Sequence, residues 1–472
     1  MSGGILEASC RINEKALLRK LDFRLLPPVT LLYLLCFLDR SNVGNARLEG
    51  LVDDINMTGD QYLTGLTLWV VGYVLFEVPC NIVLKKTSPR FWLPTIAIAW
   101  ATVATLAGVI QNYPGYLLSR FFLGVAESGL FPGVVFYLSM WYKRSEQHYR
   151  VALFFSAASL AGAFGGVLAW GIGHMRGVGG YNGWRWIFIL EGLLTFAAAA
   201  LSYLWVYNYP STAEFLTAEE REFIHLRLEY DSDAVRDESF AWANVLKALK
   251  DPKVWLYGLG LHTISLPLFS LTLFLPTIIN KLGYSAASAQ LLTVPPYAIA
   301  FIFTISIAVL SERTNRRAPF IMLPAGLACI GYIILLSQSR PGVSYVGTIF
   351  AAAGLFPATA IVVSWPANNV SGQTKRAVAN AMQISIGNLG GAIGSQLYRT
   401  ETSPRFFLGH GVALGYLLAN IAVVGLLWMV LKRENVRKER ERESRGLSPL
   451  EEAGTLDSGF LGDEDPRWIF QL

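Results

Sequence analysis

The sequence predicts an all-α membrane protein of twelve transmembrane helices arranged in two six-helix bundles. Three observations predict it. The 472 residues are 53% hydrophobic and only 15% charged, whereas about a quarter of the residues in a soluble chain are charged. The mean hydropathy is +0.41. The charges collect in short clusters separated by long runs with almost none, the pattern of spans alternating with loops.

Each element follows in order. Residues 1–24 are polar and mixed in charge, without the apolar core of a signal peptide. Leu25–Asn45 therefore reads as a retained first span. Tyr62–Leu84, Phe91–Ile110, Tyr116–Trp141, Val151–Gly173 and Trp186–Tyr207 complete a first bundle, residues 25–207. A polar stretch, 208–252, carries Thr217-Ala-Glu-Glu220, the pattern of a capping box at a helix start. Val254–Ile279, Gln290–Leu310, Pro319–Ser337, Val343–Trp365, Val378–Tyr398 and Phe407–Leu431 form a second bundle, residues 253–431. The tail, 432–472, begins basic and turns acidic, and it is expected to be mobile.

Basic residues set the orientation. With both termini cytoplasmic, the inner loops hold Lys85, Lys86 and Arg90; Lys143, Arg144 and Arg150; Arg313, Arg316 and Arg317; and Lys375 and Arg376. The outer loops hold the acidic group Glu49, Asp53, Asp54 and Asp60. Asn56-Met-Thr58 then faces outside as a glycosylation acceptor, and Asn369-Val-Ser371 faces inside and stays bare. The net charge of +5 is small and lies at loop edges, a topology signal and not a nucleic-acid footprint. The cysteines, Cys10, Cys36, Cys80 and Cys329, have no metal-ligand spacing.

Ionisable side chains inside spans are costly and mark pathways or relays. Here they are Asp39, Arg40, Glu77, Arg120, Glu127, Glu191 and His262. Arg120 and Glu127 are seven residues apart, two helical turns, and share one side of span four. Arg120 can hold an anion through a forked hydrogen bond, and Glu127 can exchange a proton; the alternative is a static, mutually neutralised network. Asp39 fits either a second proton site or a network that locks span one. Glu77, ahead of Pro79, reads as a gating or inter-bundle salt bridge. Glu191 and His262 read as structural. The second bundle offers neutral polar groups, Ser364, Trp365, Asn368, Gln383, Ser385 and Asn388. This division implies a small polar anion held between the bundles.

Several segments together resemble the anion:cation symporter family of the major facilitator superfamily, and within it the fungal allantoate, nicotinate and pantothenate permeases. They are Leu38-Asp-Arg-Ser-Asn-Val-Gly44, Arg120-Phe-Phe-Leu-Gly-Val-Ala-Glu127, Trp141-Tyr-Lys-Arg144, Trp184-Arg-Trp-Ile-Phe188 with Glu191, and Gly372-Gln-Thr-Lys-Arg376. The resemblance implies the major facilitator fold, alternating access and proton-coupled uptake of an organic anion. It implies that Arg120 binds the carboxylate, and that Asp39 and Glu127 couple protons. It brings in Tyr73, Trp365 and Asn388 as solute contacts, and Arg40, beside Asp39, is placed with them as substrate-binding. The superfamily's loop signature, Gly-x-x-x-Asp-Arg-x-Gly-Arg-Arg, is degraded after span two. Its second copy holds Glu312, Arg313, Arg316 and Arg317 as gating residues, with Glu312 for Asp and Asn315 for Gly. Phe37 replaces an aromatic hydroxyl, so substrate identity does not transfer.

No cofactor other than the coupling proton is implied, and the partners are a small anion, protons and the bilayer, for a monomer in the plasma or an internal membrane. Two further functions compete: a proton-coupled exporter of a fungal secondary metabolite, and a transporter-like nutrient sensor. The exporter is disfavoured because span five reads Ala163-Phe-Gly-Gly166 without the Gly-Pro pair of drug antiporters. An enzyme is disfavoured by the lack of a metal pair, nucleophile elbow or phosphate-cradling loop.

Overall fold

The computed structural model describes residues 12–230, 242–338, 340–446 and 462–472. The first half contains α1 (Glu14–Leu48), α2 (Gly59–Lys86), α3 (Pro89–Ala107), α4 (Tyr113–Glu127), α5 (Leu130–Ser139), α6 (Arg144–Gly173) and α7 (Gly183–Trp205). Two short helices follow, α8 (Ala218–Tyr230) and α9 (Trp242–Lys250). The second half contains α10 (Pro252–Lys281), α11 (Ala286–Leu291), α12 (Val294–Thr314), α13 (Ala318–Ser337), α14 (Pro341–Asn369), α15 (Gln373–Gly394) and α16 (Phe407–Arg445).

Among the described residues, eleven helical segments are long and apolar enough to cross a bilayer, with α4 and α5 counting as one and α11 and α12 as another. The twelfth crossing is α15, whose Lys375, Arg376, Asn380, Gln383 and Asn388 dilute its hydropathy. Span four departs from the sequence reading. It is broken at Ser128 and Gly129, between α4 and α5.

Local chemistry starts these helices where the chain turns. Asn13 caps α1 and Asn112 caps α4, each accepting a backbone N–H three residues on, at 3.2 and 2.9 Å. Thr58 and Gln61 form a reciprocal capping box on α2. Thr217 and Glu220 form the one read from the sequence, at 2.9 and 3.2 Å. Burial works against the Glu220 charge, but Lys20, 2.7 Å away, and the Thr217 backbone hold its carboxyl below the usual carboxylate range.

Alternation of the crossings puts both described chain ends on one face, here the terminal face; the other is the distal face. Ion pairs tie helices together on the terminal face: Arg150 of α6 with Asp22 of α1 at 2.6 Å, and Arg227 of α8 with Glu14 of α1 at 2.8 Å and with Glu146 of α6. On the distal face Arg185 pairs with Asp54 at 3.3 Å, and the Trp184 indole donates to the same carboxylate at 2.9 Å. Asn56 is exposed there, with φ 51°.

The tail differs from its expected mobility wherever it is described. α16 continues as helix to Arg445. Residues 462–472 pack on the terminal face of the second half; residues 447–461 lie outside the described residues. Lys375 Nζ donates to Asp463 at 2.7 Å and to Asp251 at 2.9 Å. Lys438 Nζ donates to the carbonyls of Asp463 and Trp468 at 2.5 and 3.1 Å and stands 4.2 Å from the centre of the Phe470 ring. Composition suggested a solvated tail, but Trp468 and Phe470 supply apolar anchors that end buried. Asp463→Ala removes one of two carboxylates from Lys375 and is expected to cost about 2 kcal/mol, the worth of a hydrogen bond to a charged group. An earlier melting midpoint in detergent checks this.

Candidate functional site: a buried charge cluster between the halves

Asp39 and Arg40 are adjacent on α1, so their side chains leave the helix about 100° apart. The structure sends them to different places. Arg40 turns towards α2 and α4. Its Nε donates to Glu127 Oε2 at 3.1 Å, and its Nη2 lies 3.1 Å from the same oxygen. The guanidinium stands 4.3 Å from the centre of the Trp69 ring and 5.7 Å from those of Tyr73 and Phe37. Both members of the pair are buried, Arg40 at 9% exposure and Glu127 at 1%. Gly124 makes the arrangement possible, because any Cβ there would collide with the Trp69 carbonyl oxygen and hold α4 off α2.

These groups sit against the second half. Trp69 packs on Phe269 with ring centres 6.0 Å apart, and Phe37 on Phe356 at 6.4 Å. The ion pair thus lies among aromatic rings of the first half, two of which pack on the second.

Arg120 is placed otherwise than the spacing suggests. It shares the α4 face with Glu127 but does not pair with it. It is 3% exposed, and among the described residues it has no carboxylate within ion-pair distance. It lines a cavity of ≈ 10 Å³ inside the first half together with Asp39, Tyr116, Ser119 and Phe188. The walls of that cavity come from α1, α3, α4 and α7, so in this conformation Arg120 faces the bundle interior and Arg40 faces the partner half.

Asp39 turns to α7, where Thr195 donates to its Oδ2 at 2.9 Å. Glu77 is 2% exposed, and neither carboxylate oxygen has a hydrogen-bond partner. The salt bridge expected of it is not formed in this conformation. His262 Nδ1 donates to the Ile386 carbonyl, 2.9 Å away.

In the second half Trp365 meets the tail. Its indole donates to the Gln471 carbonyl at 2.9 Å, and Asn368 donates to the Gln471 side chain at 3.1 Å. The docked tail therefore covers a residue that the resemblance assigns to solute contact. Asn388 is half-buried, and its Nδ2 has no partner. Of the gating residues, Arg317 is buried, pairs with Glu312 at 3.2 Å and donates to Ser311 at 2.9 Å; its backbone N–H meets the Leu472 carbonyl. Arg313 and Arg316 are exposed on the terminal face.

The two halves meet closely towards the distal face. A Cβ at Gly44 would lie 2.6 Å from the Leu273 carbonyl oxygen, and one at Gly166 would lie 2.5 Å from that of Gln290. Thr67 and Ser395 share a hydrogen bond at 2.9 Å, and Gln290 donates to Glu49 at 3.1 Å. On the terminal side of the charge cluster a narrow cavity separates the halves. Phe131, Gln147 and Val151 line one wall, and Ser364, Asn380 and Gln383 the other. The distal side is shut, and the remaining space lies towards the terminal face.

Sequence reasoning missed Trp69 and Asn42. Trp69 lies four residues before Tyr73, one turn along the same face. Asn42 lies three after Asp39, and that spacing was the available signal.

The Major Facilitator Superfamily model matches residues 29–395. The chain is 37% identical to the MFS-type transporter cnsO of Penicillium expansum, over 98% of this chain and 91% of that protein. It is 32% identical to the high-affinity nicotinic acid transporter of Saccharomyces cerevisiae, over 90% of this chain and 79% of that one. Among solved structures, the proton:xylose symporter XylE shares the fold at a TM-score of 0.64 and 14% identity, covering 85% of this chain and 95% of its own. A bacterial homologue of the human lysosomal transporter Spinster does so at 0.63 and 14%, covering 86% and 96%. Two six-helix halves closing around a buried charge cluster, with relatives named as transporters along nearly the whole length, make this chain a member of the Major Facilitator Superfamily and a transporter, not an enzyme.

Proposed function

We propose that the protein couples proton entry to uptake of a small carboxylate across the plasma membrane. The observation that carries this reading is the buried Arg40–Glu127 pair between the halves. A buried guanidinium is stabilised by an anion beside it. Glu127 supplies that anion in the empty carrier. When a solute carboxylate takes its place at Arg40, a proton on Glu127 removes the surplus negative charge. Anion and proton are thus favoured together, which is the thermodynamic requirement for symport. Arg120, buried without a carboxylate, is a second guanidinium able to meet the anion as the helices move. Tyr73 and Asn388 supply polar contacts from opposite halves.

The basic loops put the terminal face in the cytoplasm, and Asn56 then stands outside as a glycosylation acceptor. The relative named a nicotinic acid transporter supports a carboxylate solute. In proteoliposomes, uptake of labelled nicotinate, pantothenate or simple organic acids is expected to rise severalfold with an inward proton gradient and to fall at least tenfold in Arg120→Ala. Uptake indifferent to collapse of the gradient would overturn the coupling. Net efflux driven by the same gradient would make the protein an exporter.

A further inference from the structure

α9 is a nine-residue helix on the terminal face, just ahead of the first crossing of the second half. It shows three distinct sides. Successive residues are about 100° apart, so Leu249, Trp242 and Leu246 fall within an arc of about 60°. Leu246 is 52% exposed and Leu249 42%. Lys250 and Lys247 follow on one flank, and both are exposed. Ala248 lies across the helix from them and is completely buried, and α9 packs against α15. A helix on a protein surface in water needs only a buried side and a solvated side. An exposed apolar side beside a basic one is the mark of a helix lying where protein, acyl chains and headgroups meet.

The apolar side does not end with α9. Trp255, in the first turn of α10, donates its indole N–H to the Leu249 carbonyl at 2.8 Å. Trp255 is 48% exposed, and Leu259, one turn further into the crossing, is 43% exposed. Both belong to the outer, lipid-facing side of a spanning helix. Leu246, Leu249, Trp255 and Leu259 therefore form one stripe that runs from α9 onto that side. Tryptophan favours the boundary between acyl chains and headgroups, and the bond from Trp255 puts the end of α9 at the same depth. Among the described residues neither Lys247 nor Lys250 pairs with a carboxylate. Their stems can lie along the apolar stripe while the ammonium groups reach an anion in the headgroup layer.

We propose that α9 is an in-plane anchor that binds anionic phospholipid at the terminal face. Leu246, Leu249 and Trp255 enter the acyl boundary, and Lys247 and Lys250 hold the headgroup phosphate and carboxylate. With the terminal face in the cytoplasm, this leaflet is the anionic one. Two lysines alone hold a lipid weakly, and the apolar stripe supplies the remainder. The anchor bears on the second half through Asp251, which follows α9 directly. Asp251 accepts from the Lys253 backbone N–H at 3.0 Å, capping α10, and pairs with Lys375 near the start of α15 at 2.9 Å. Bound lipid thus sets the terminal ends of α10 and α15 at one depth while the halves move. The anchor depends neither on proton coupling nor on which solute is carried.

Nitroxide labels on the full chain, in nanodiscs of phosphatidylcholine and phosphatidylserine, read the placement. A label at Leu246→Cys is expected to collide severalfold more with dissolved oxygen than with a water-soluble nickel chelate. A label at Lys247→Cys should show the reverse, and the unsubstituted chain sets the cysteine background. A melting titration in detergent reads the headgroup. Phosphatidylserine should raise the midpoint more than phosphatidylcholine does. Lys247→Gln combined with Lys250→Gln should raise the half-saturating phosphatidylserine concentration on the order of tenfold. These side chains are exposed, and a monodisperse elution profile shows that each variant has folded. Nickel access at Leu246→Cys equal to that at Lys247→Cys would overturn the proposal by placing the stripe in water. Shielding of both labels from both reagents would do so by marking a protein partner. A double variant that responds to phosphatidylserine like the wild type would also overturn it. So would equal stabilisation by glycerophosphoserine or inorganic phosphate, which carry no acyl chains.

Discussion

Glu127→Gln protein is expected to equilibrate its solute across the membrane but not to concentrate it, with an uptake rate flat across external pH. The amide keeps the shape of the carboxylic acid and a weak acceptor for Arg40, but it holds no charge and takes no proton. Solute then binds without proton uptake, and the gradient does no work on it. Arg40→Ala should differ in kind. It removes the charged contact and strands Glu127, 1% exposed, without its partner. Breaking a buried ion pair from one side costs about 3–5 kcal/mol, so solute uptake should fall by at least about 100-fold. Arg40→Lys restores charge without the planar fork and should recover only part of it. Counterflow, which needs no gradient, distinguishes the two variants: it should survive in Glu127→Gln and vanish in Arg40→Ala. Gradient-driven accumulation by Glu127→Gln at the wild-type level would remove this carboxylate from the coupling step.

Gly44→Leu should abolish transport while leaving each half folded. Gly44 lies where α1 crosses α10, and even a Cβ would sit 2.6 Å from the Leu273 carbonyl oxygen. That is backbone, so no side-chain rotation relieves it. The collision exists only when the distal side is shut, because the two residues belong to different halves. The substitution therefore acts on one conformation and biases the equilibrium towards the other. A penalty of about 3 kcal/mol shifts that equilibrium roughly 150-fold. A reporter at Thr67→Cys, where the native hydroxyl lies 2.9 Å from Ser395 across the interface, should label with an impermeant maleimide in the Gly44→Leu background and resist it with Gly44 in place. The native cysteines set the background. Equal labelling in both would show that the close approach at Gly44 does not control distal closure.

The helices were legible because the bilayer demands long apolar runs, and charges between them are conspicuous. The break in span four was not, since Ser128 and Gly129 lie within an apolar stretch and hydropathy averages over them. Of the charge cluster, the members could be named but not their pairing. Arg120 and Glu127 share a helix face, which suggests partnership. The tertiary packing instead brings Arg40 across 87 residues of chain to Glu127. Helical spacing tells which side a residue is on, but not what stands opposite. Trp365 shows the same limit from another direction. The resemblance assigns it to solute contact, yet its indole is taken by a backbone carbonyl 106 residues later. The capping box at Thr217 was readable because both partners lie within one turn.

The polar character of α15 bears on how the molecule is made. Its glycines face α10: a Cβ at Gly394 would lie 2.6 Å from the Leu266 carbonyl oxygen, and one at Gly387 2.5 Å from the Leu261 side chain. Small residues of this kind let two backbones approach and share polar groups that lipid cannot satisfy. Alone in the translocon, α15 is a poor candidate for lipid, and its natural companion emerged from the ribosome more than 90 residues earlier. Its entry into the membrane is then a recruitment by a helix already waiting there. The second half is completed during synthesis by assembly and not by hydropathy, and damage to this seam would be felt first as protein cleared by quality control.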